Sequence, residues 1–113
     1  MSAITTHLLD TSRGRPARGV AVRLEVENAD GSWRQIGKGT TDADGRARHL
    51  LPDFALTEGI YRLTFETGPY FAAQEIDAFY PEVVIVFTVS DPAQHYHVPL
   101  LLSPFGYSTY RGS

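Results

Sequence analysis

The sequence predicts an all-β protein, a sandwich of short strands with one short helix. The first observation is alternation, because apolar and polar residues exchange places along several short stretches. The second is that turn-forming residues, including two Asp-Gly pairs, separate these stretches at short intervals. The third is that a single stretch carries the four-residue period of a helix. Short strands at regular spacing with little helix are typical of a β-sandwich.

The first two strands lie near the N-terminus. Residues 4–9 predict a short strand, which a turn-rich stretch follows. Residues 20–27 alternate almost perfectly, and this pattern predicts a half-buried strand. The apolar positions that share its inner face are Val20, Val22, Leu24 and Val26.

A hairpin is predicted next. The Asp-Gly pair at 30–31 favours a tight turn into a returning strand over residues 33–41. Within that strand, Gly37 and Gly39 indicate a sheet edge or a bulge. The alternation resumes at residues 61–66, where the aromatic residues point inward.

The helix and the last three strands complete the pattern. Apolar residues four apart predict one short helix over residues 69–79, which ends before Pro81. Residues 82–89 are almost continuously apolar and β-branched, which predicts a central strand. Residues 95–102 and 106–110 predict the final two strands. This C-terminal region is rich in aromatic and apolar residues, so we expect it to be docked into the fold.

Composition narrows the class of protein. The 113 residues fit one domain over residues 1–113, with 42% hydrophobic and 20% charged residues and a net charge of −3. No basic surplus indicates nucleic-acid binding, and no apolar run reaches the length of a membrane helix. The absence of cysteine excludes disulfides, thiolate zinc sites and a cysteine nucleophile. The first residues lack the pattern of a signal peptide, so we expect a cytoplasmic protein.

Histidines are the strongest candidates for chemistry. The two-residue period sets His95 and His97 on one face of a strand, and His7 shares a strand face with Thr5. His49 follows a charged turn and is expected on the surface. Two imidazoles on one strand face are compatible with structural roles, with zinc binding, or with acid–base catalysis near pH 7. The residue pattern alone leaves these three interpretations open.

Other candidate motifs are weaker. Ser113 lacks the Gly-x-Ser-x-Gly context of an activated nucleophile, and the glycines form no phosphate-binding loop. Arg46 directly follows the Asp-Gly pair at 44–45, where a side chain projects from the end of a turn. Local context alone favours a solvated arginine there.

Four blocks of the sequence resemble one family pattern. They are His-Leu-Leu-Asp at 7–10 with Gly-Arg-Pro-Ala at 14–17, Thr-Asp-Ala-Asp-Gly-Arg at 41–46, His-Tyr-His-Val-Pro-Leu-Leu-Leu-Ser-Pro at 95–104, and Tyr-Arg-Gly-Ser at 110–113. In this order they resemble the 5-hydroxyisourate hydrolases of the transthyretin family. The terminal tetrapeptide resembles the signature that separates these hydrolases from transthyretin itself. The resemblance covers the chain from residue 4 to its last residue.

The resemblance implies a fold, an activity and an assembly. The expected fold is a transthyretin-like sandwich of two four-stranded sheets. The expected activity is hydrolysis of 5-hydroxyisourate to 2-oxo-4-hydroxy-4-carboxy-5-ureidoimidazoline in urate degradation, with neither metal nor organic cofactor. The expected assembly is a homotetramer whose active sites lie where two dimers meet. A zinc site at His95 and His97 becomes improbable on this resemblance, and His95 is expected only to line or support the site.

The resemblance also implies which residues act. Catalytic roles fall on His7, Arg46, His97 and Ser113, and substrate binding falls on the same residues with Tyr110, Arg111 and Gly112. We expect His97, with His7, to activate water and transfer protons. Arg46 offers a planar fork to the substrate oxygens, and the terminal residues shape the pocket or hold the last strand. Which histidine is the base stays open, because paired imidazoles can titrate as a unit.

Two rival functions are retained. A non-catalytic transthyretin-like carrier would use the same fold to bind a small molecule. Such a carrier has no need of His7, His97 or the terminal tetrapeptide. A β-sandwich adhesion or carbohydrate-binding module would be expected to have a secretion signal and exposed loop aromatics, and the sequence offers neither clearly.

Overall fold

Eight strands and one short helix form the fold in a computed structural model that describes residues 3–51 and 54–113. The elements in chain order are β1 (Ile4–Asp10), β2 (Arg15–Pro16), β3 (Ala21–Glu27), β4 (Trp33–Thr40), β5 (Gly59–Phe65), α1 (Thr67–Ala72), β6 (Val83–Val89), β7 (Tyr96–Ser103) and β8 (Gly106–Thr109). The strands form a first sheet, ordered β2-β1-β7-β8, and a second sheet, ordered β4-β3-β5-β6. The predicted all-β sandwich of two four-stranded sheets is confirmed.

The two sheets enclose one apolar core. On β1 and β3 every second side chain is buried, which is the pattern that the alternation predicts. The largest fully buried side chains include Tyr61 and Phe65 on β5 and Phe71 on α1. Burial of one such side chain contributes about 1.5–3 kcal/mol relative to an exposed position. The core therefore uses the inner face of each sheet and leaves the outer faces free for other roles.

The pairing of β1 with β7 determines what lies on the outer face of the first sheet. These two strands run parallel, whereas the flanking pairs β1–β2 and β7–β8 are antiparallel. The register sets Thr5 opposite His97 and His7 opposite Pro99. Residues from the two ends of the chain thereby become direct neighbours.

The helix differs from its predicted bounds. The prediction over residues 69–79 is wrong at both ends, because α1 spans Thr67–Ala72. The helix ends in a Schellman motif, in which the Ile76 amide donates to the Phe71 carbonyl at 3.0 Å and Glu75 takes a φ of 59°. Glycine is the usual residue at that position, so the sequence carries no signal for this end. Among the described residues, no helix is long and apolar enough to cross a membrane.

The other differences between the predicted and the observed elements concern edge strands. β2 lies within the stretch that the sequence predicts as turn, and it pairs with the end of β1. The prediction that residues 82–89 are central is wrong, because β6 is the edge of the second sheet and its Val84 and Val86 are 39% and 56% exposed. Apolar residues on both faces of a strand give the pattern of a fully buried strand even at an edge. β4 is an edge strand with an irregular register, as Gly37 and Gly39 predict.

Candidate active site

The candidate site lies on the outer face of the first sheet. β1 and β7 run side by side there, and both His7 and His97 are half-buried on that face. Tyr96 and Val98 point to the opposite face and are buried in the core. The core side chains thus hold the strands while the alternate positions remain available to a ligand.

The hydroxyl of Thr5 joins two imidazoles on this face. Its Oγ1 lies 2.8 Å from His97 Nδ1 and 3.0 Å from His95 Nε2. A hydroxyl carries a single hydrogen, so Thr5 donates to one ring and accepts from the other. The other ring nitrogen of His97, Nε2, has no hydrogen-bond partner among residues 3–51 and 54–113. His97 therefore has one nitrogen fixed by the protein and one nitrogen available for chemistry.

A tight turn brings Arg46 to the same face. The Gly45 carbonyl accepts a hydrogen bond from the Leu8 amide at 2.8 Å, which docks the turn against β1 beside His7. Gly45 has a φ of 78°, and a Cβ there would lie 2.3 Å from the Leu8 carbonyl oxygen. Only glycine combines this backbone conformation with so close an approach. The Asp-Gly pair therefore positions Arg46 as well as turning the chain.

Asp42 holds the turn in this shape. Its Oδ1 accepts backbone hydrogen bonds from Asp44 at 2.9 Å and Arg46 at 3.1 Å, and its Oδ2 accepts from Arg48 Nε at 2.7 Å. These bonds, first of all the one from the Arg46 amide, lower the pKa of Asp42. The guanidinium of Arg46 has no carboxylate partner in the described part of the chain. Its charge is consequently available to a ligand.

The electrostatics of the site converge on His97. Burial is the main cause that lowers the pKa of His97 below 6.5, and the nearby charges of Arg46, His95 and His7 lower it further. A neutral imidazole at pH 7 can accept a proton, which is the state that a general base requires. Arg46 in the turn, His7 on β1 and His95 just before β7 therefore all lie within electrostatic reach of the His97 ring.

The C-terminus is docked against His97 through its backbone, although the aromatic side chains that predicted docking, Phe105, Tyr107 and Tyr110, are exposed. The Gly112 amide donates to the His97 carbonyl at 2.8 Å. A Cβ at Gly112 would lie 2.5 Å from His97 Cδ2 and 3.3 Å from Pro99 Cγ. A side chain at position 112 would therefore displace the imidazole, so the backbone of the terminus sets the position of that ring.

The remaining terminal residues lie at the margin of the site. Arg111 donates to Gln94 Oε1 at 2.8 Å, and its Cζ lies 4.4 Å from the Tyr96 ring centroid. This contact takes the guanidinium toward the loop before β7. Tyr110 is 58% exposed, and Ser113 is exposed. Tyr110, Arg111 and His97 line one side of a cleft of about 340 Å³, and β6 lines the other.

The structure thus brings together four of the predicted site residues: His7, Arg46, His97 and Gly112. Tyr110 and Arg111 line a cleft together with His97, Ser113 is exposed, and the roles of all seven residues stay predictions. His49 is exposed, as expected. Thr5 is the residue that sequence reasoning missed. Its only signal was the strand face it shares with His7, since nothing local reveals a partner 92 residues away.

The chain is similar to known proteins over nearly its whole length. The model of the HIUase/Transthyretin family matches residues 4–112. The chain belongs to this family. A relative named 5-hydroxyisourate hydrolase, from Caulobacter vibrioides, is 51% identical over 118 aligned residues, which cover 100% of both chains.

Similar solved structures include a 5-hydroxyisourate hydrolase and a transthyretin in complex with thyroxine. A 5-hydroxyisourate hydrolase from Klebsiella pneumoniae is 37% identical, with a TM-score of 0.84 over 97% of this chain and 92% of that one. Sea bream transthyretin in complex with thyroxine is 35% identical, with a TM-score of 0.92 over 98% of this chain and 95% of that one. The fold is therefore shared by a protein named as a hydrolase and by a transthyretin in complex with thyroxine, and the fold alone does not decide function.

Proposed function

We propose that this chain hydrolyses 5-hydroxyisourate to 2-oxo-4-hydroxy-4-carboxy-5-ureidoimidazoline, a step in urate degradation, and that His7, Arg46 and His97 act in the reaction. The observation that carries this proposal is the convergence of these three side chains on one sheet face from three separate segments. The identity of 51% to a full-length relative named for this activity supports it. The chain is an enzyme of the hydrolase class.

His97 activates the attacking water. Its Nε2 takes a proton from the water as the water oxygen bonds to a ring carbonyl carbon of the substrate. The lowered pKa keeps the ring neutral near pH 7, and Nε2 is the basic nitrogen when the ring hydrogen lies on Nδ1 and is donated to Thr5. When the carbon–nitrogen bond of the ring breaks, the same Nε2–H gives its proton to the leaving nitrogen. His97 thus acts first as base and then as acid, and it ends the cycle as it began.

Arg46 and His7 bind the reacting groups. Water addition places negative charge on the carbonyl oxygen, and the guanidinium of Arg46 can donate two hydrogen bonds to that oxygen and its neighbour. Arg46 has no carboxylate partner in the described chain, so its donors need not leave another ion pair. His7 orients the water or a polar substrate atom beside His97. Tyr110, Arg111, Gly112 and Ser113 shape the substrate side, Gly112 by fixing the His97 ring.

A homotetramer with sites between dimers would complete this site. In a single chain the catalytic groups lie on an open sheet face, where water would compete with every hydrogen bond to the substrate. Large apolar side chains are also exposed, among them Phe79 and Phe105 at 70% each. A second copy would cover such a surface and enclose the site. Light scattering after gel filtration tests this, and a fully active monomer would contradict it.

The proposed reaction needs only side chains of this protein and water, and it includes no metal or organic cofactor. A cytoplasmic location is compatible with a chain that contains no cysteine, because cytoplasmic proteins rarely depend on disulfides.

The first test is the near-ultraviolet decay of 5-hydroxyisourate, generated from urate with urate oxidase. We expect the protein to accelerate decay strongly, equally with and without a metal chelator. Decay at the spontaneous rate would contradict the hydrolase proposal. Because the fold matches a transthyretin bound to thyroxine, the inactive outcome would be followed by thyroxine binding measured by calorimetry. Binding without catalysis would favour the carrier.

A further inference from the structure

Behind His97, on the side away from its free nitrogen, Thr5 connects the ring to a second histidine. Thr5 Oγ1 lies 2.8 Å from His97 Nδ1 and 3.0 Å from His95 Nε2, both within hydrogen-bond range. His97 is half-buried and His95 is exposed. The three groups therefore form a short path from the ring that faces the substrate to a ring in contact with solvent.

This arrangement couples the tautomers of the two rings. If His97 carries its hydrogen on Nδ1, it donates to Thr5, and Thr5 donates to His95 Nε2. His97 Nε2 is then bare and can act as a base. In the opposite arrangement His95 Nε2–H donates to Thr5, Thr5 donates to His97 Nδ1, and His97 Nε2 carries the hydrogen. One hydroxyl hydrogen thus decides which state of His97 meets the substrate.

We infer that Thr5 and His95 form a proton relay for His97, in which Thr5 positions the ring and His95 holds the proton between the two steps of hydrolysis. The inference rests on the proposed function, since it gives the relay a task in that reaction. Thr5 and His95 are positioning residues here, because they act through His97 and not on the substrate.

The relay balances in protons and charge. After His97 Nε2 takes the proton of the attacking water, the ring is a cation with hydrogen on both nitrogens. The Nδ1–H bond of His97 then breaks as a bond to Thr5 Oγ1 forms, and the former hydroxyl hydrogen of Thr5 bonds to His95 Nε2. His97 becomes neutral with hydrogen on Nε2, and His95 carries the charge. When the leaving nitrogen takes the Nε2 hydrogen, the relay runs backward and restores the first state.

The surroundings favour movement of charge in this direction. Partial burial of His97 disfavours its charged form, and Arg46 from the docked turn, His95 from the residues just before β7 and His7 from β1 add to this effect. A cation on His97 is therefore disfavoured. His95 is exposed, so water solvates a cation there at lower cost. The hydroxyl of Thr5 supplies a hydrogen-bonded route between these two rings.

Imidazole tautomers measured by long-range ¹H–¹⁵N NMR test the coupling in the substrate-free protein. In the wild type we expect the populations for His95 and His97 to change together with pH. Thr5→Val removes the hydroxyl at nearly equal volume and should uncouple them, whereas Thr5→Ser should keep the coupling. Thr40→Val is the matched control, because Thr40 is exposed on β4. Rings that titrate independently in the wild type would overturn the relay.

Steady-state kinetics separate a relay from simple positioning. We expect Thr5→Val to lower kcat about tenfold with little change in KM, and Thr5→Ser to restore most of the loss. His95→Gln can still hydrogen-bond Thr5 but cannot hold a proton, so it should lower kcat by about fivefold to tenfold. Wild-type kcat in His95→Gln would overturn the relay even if Thr5→Val is impaired.

The two proposals fail in distinguishable ways. A wild-type protein that does not accelerate 5-hydroxyisourate decay would contradict the hydrolase, while the NMR experiment would still decide whether the rings are coupled. An active wild type in which His97→Gln is inactive, but Thr5→Val and His95→Gln keep full kcat, would leave the hydrolase intact and remove the relay.

Discussion

The outer faces of the two sheets treat positive charge in opposite ways. On the second sheet, Arg23 pairs with Glu66 at 2.6 Å and Arg62 pairs with Glu25 at 2.8 Å. On the first sheet, Arg46 and the histidines have no carboxylate partner within the described residues. Both faces belong to strands that bury their alternate side chains in the same core. The difference indicates that the arginines of the two central strands of the second sheet are neutralised by carboxylates, whereas Arg46 beside the first sheet keeps its charge available for a ligand.

The two outer faces also differ in how completely their side chains are hydrogen-bonded. Arg62 is held by a carboxylate and also lies 4.3 Å from the ring centroid of Trp33, so its donors and its flat face are both in use. Within residues 3–51 and 54–113, the ring of His97 is hydrogen-bonded at Nδ1 and has no partner at Nε2. Stability is served by completing such interactions, whereas catalysis requires groups that are held in place and still free to react. We therefore expect substitutions around His97 to affect activity, and substitutions at the ion pairs of the second sheet to affect stability.

The largest expected effect comes from removal of residues 110–113. The deletion removes the Gly112 contact that holds His97, and we expect nearly all activity to be lost. The large buried side chains lie upstream, so circular dichroism should show a folded protein with a cooperative thermal transition. Full activity in the truncated protein would show that the terminus has no part in the site.

Arg46→Gln is expected to lower kcat/KM about a hundredfold, because it removes charge from the developing oxyanion. It should also change the pH profile. Burial, and next to it the charge of Arg46, lower the pKa of His97, so removing that charge raises this pKa. The acid limb of kcat/KM, where His97 gains its proton, should therefore move to higher pH. An unshifted limb would argue that Arg46 does not act on His97.

Gly112→Ala is a smaller change with a local target. The added Cβ would approach His97 Cδ2 to 2.5 Å, so the ring or the terminus must move. We expect about a tenfold loss of kcat, since small displacements of a general base weaken proton transfer. The thermal midpoint should change little, because residue 112 lies outside the core. Gly106→Ala, where an added Cβ would meet only Ser103 Oγ at 3.7 Å, is a control for replacing a glycine, and it should keep wild-type kcat.

The smallest expected effect lies on the second sheet. Arg62→Gln breaks a partly exposed ion pair with Glu25, and such pairs contribute about 0.2–1 kcal/mol to the free energy of unfolding. Urea unfolding should register this loss, and kcat/KM should stay at the wild-type value. A loss of activity comparable with that of Arg46→Gln would remove the distinction between the two faces.

The sequence predicts the parts of this site better than their assembly. Alternation along β1 and β7 correctly separates His7 and His97 from the buried side chains of their strands, because side-chain direction in a strand is a local property, whereas His95 lies just before β7 and not on it. The resemblance to known hydrolases adds Arg46 and the terminus. Local pattern cannot reveal that β1 lies beside β7, because strand pairing depends on packing between distant segments. Thr5 consequently stayed unrecognised.

The misplaced helix end has a similar cause. Apolar spacing around Phe71 continues past residue 75, and glycine, the usual signal for a helix end, is absent there. The chain nonetheless turns at Glu75, which adopts a positive φ of 59°. The hydrogen bonds of the Schellman motif stabilise that turn in the folded protein. Side-chain periodicity carries no information about backbone bonds of this kind.

On this view of the molecule, the outer sheet face around His97 carries the chemistry. The most direct measurement is the rate constant of 5-hydroxyisourate decay with the wild type, with His97→Gln and with His49→Gln as a matched exposed control. We predict that His97→Gln loses about a thousandfold in kcat/KM while it unfolds like the wild type, and that His49→Gln keeps full activity. Equal rates for His97→Gln and the wild type would contradict the account and place the reaction, if any, elsewhere on the molecule.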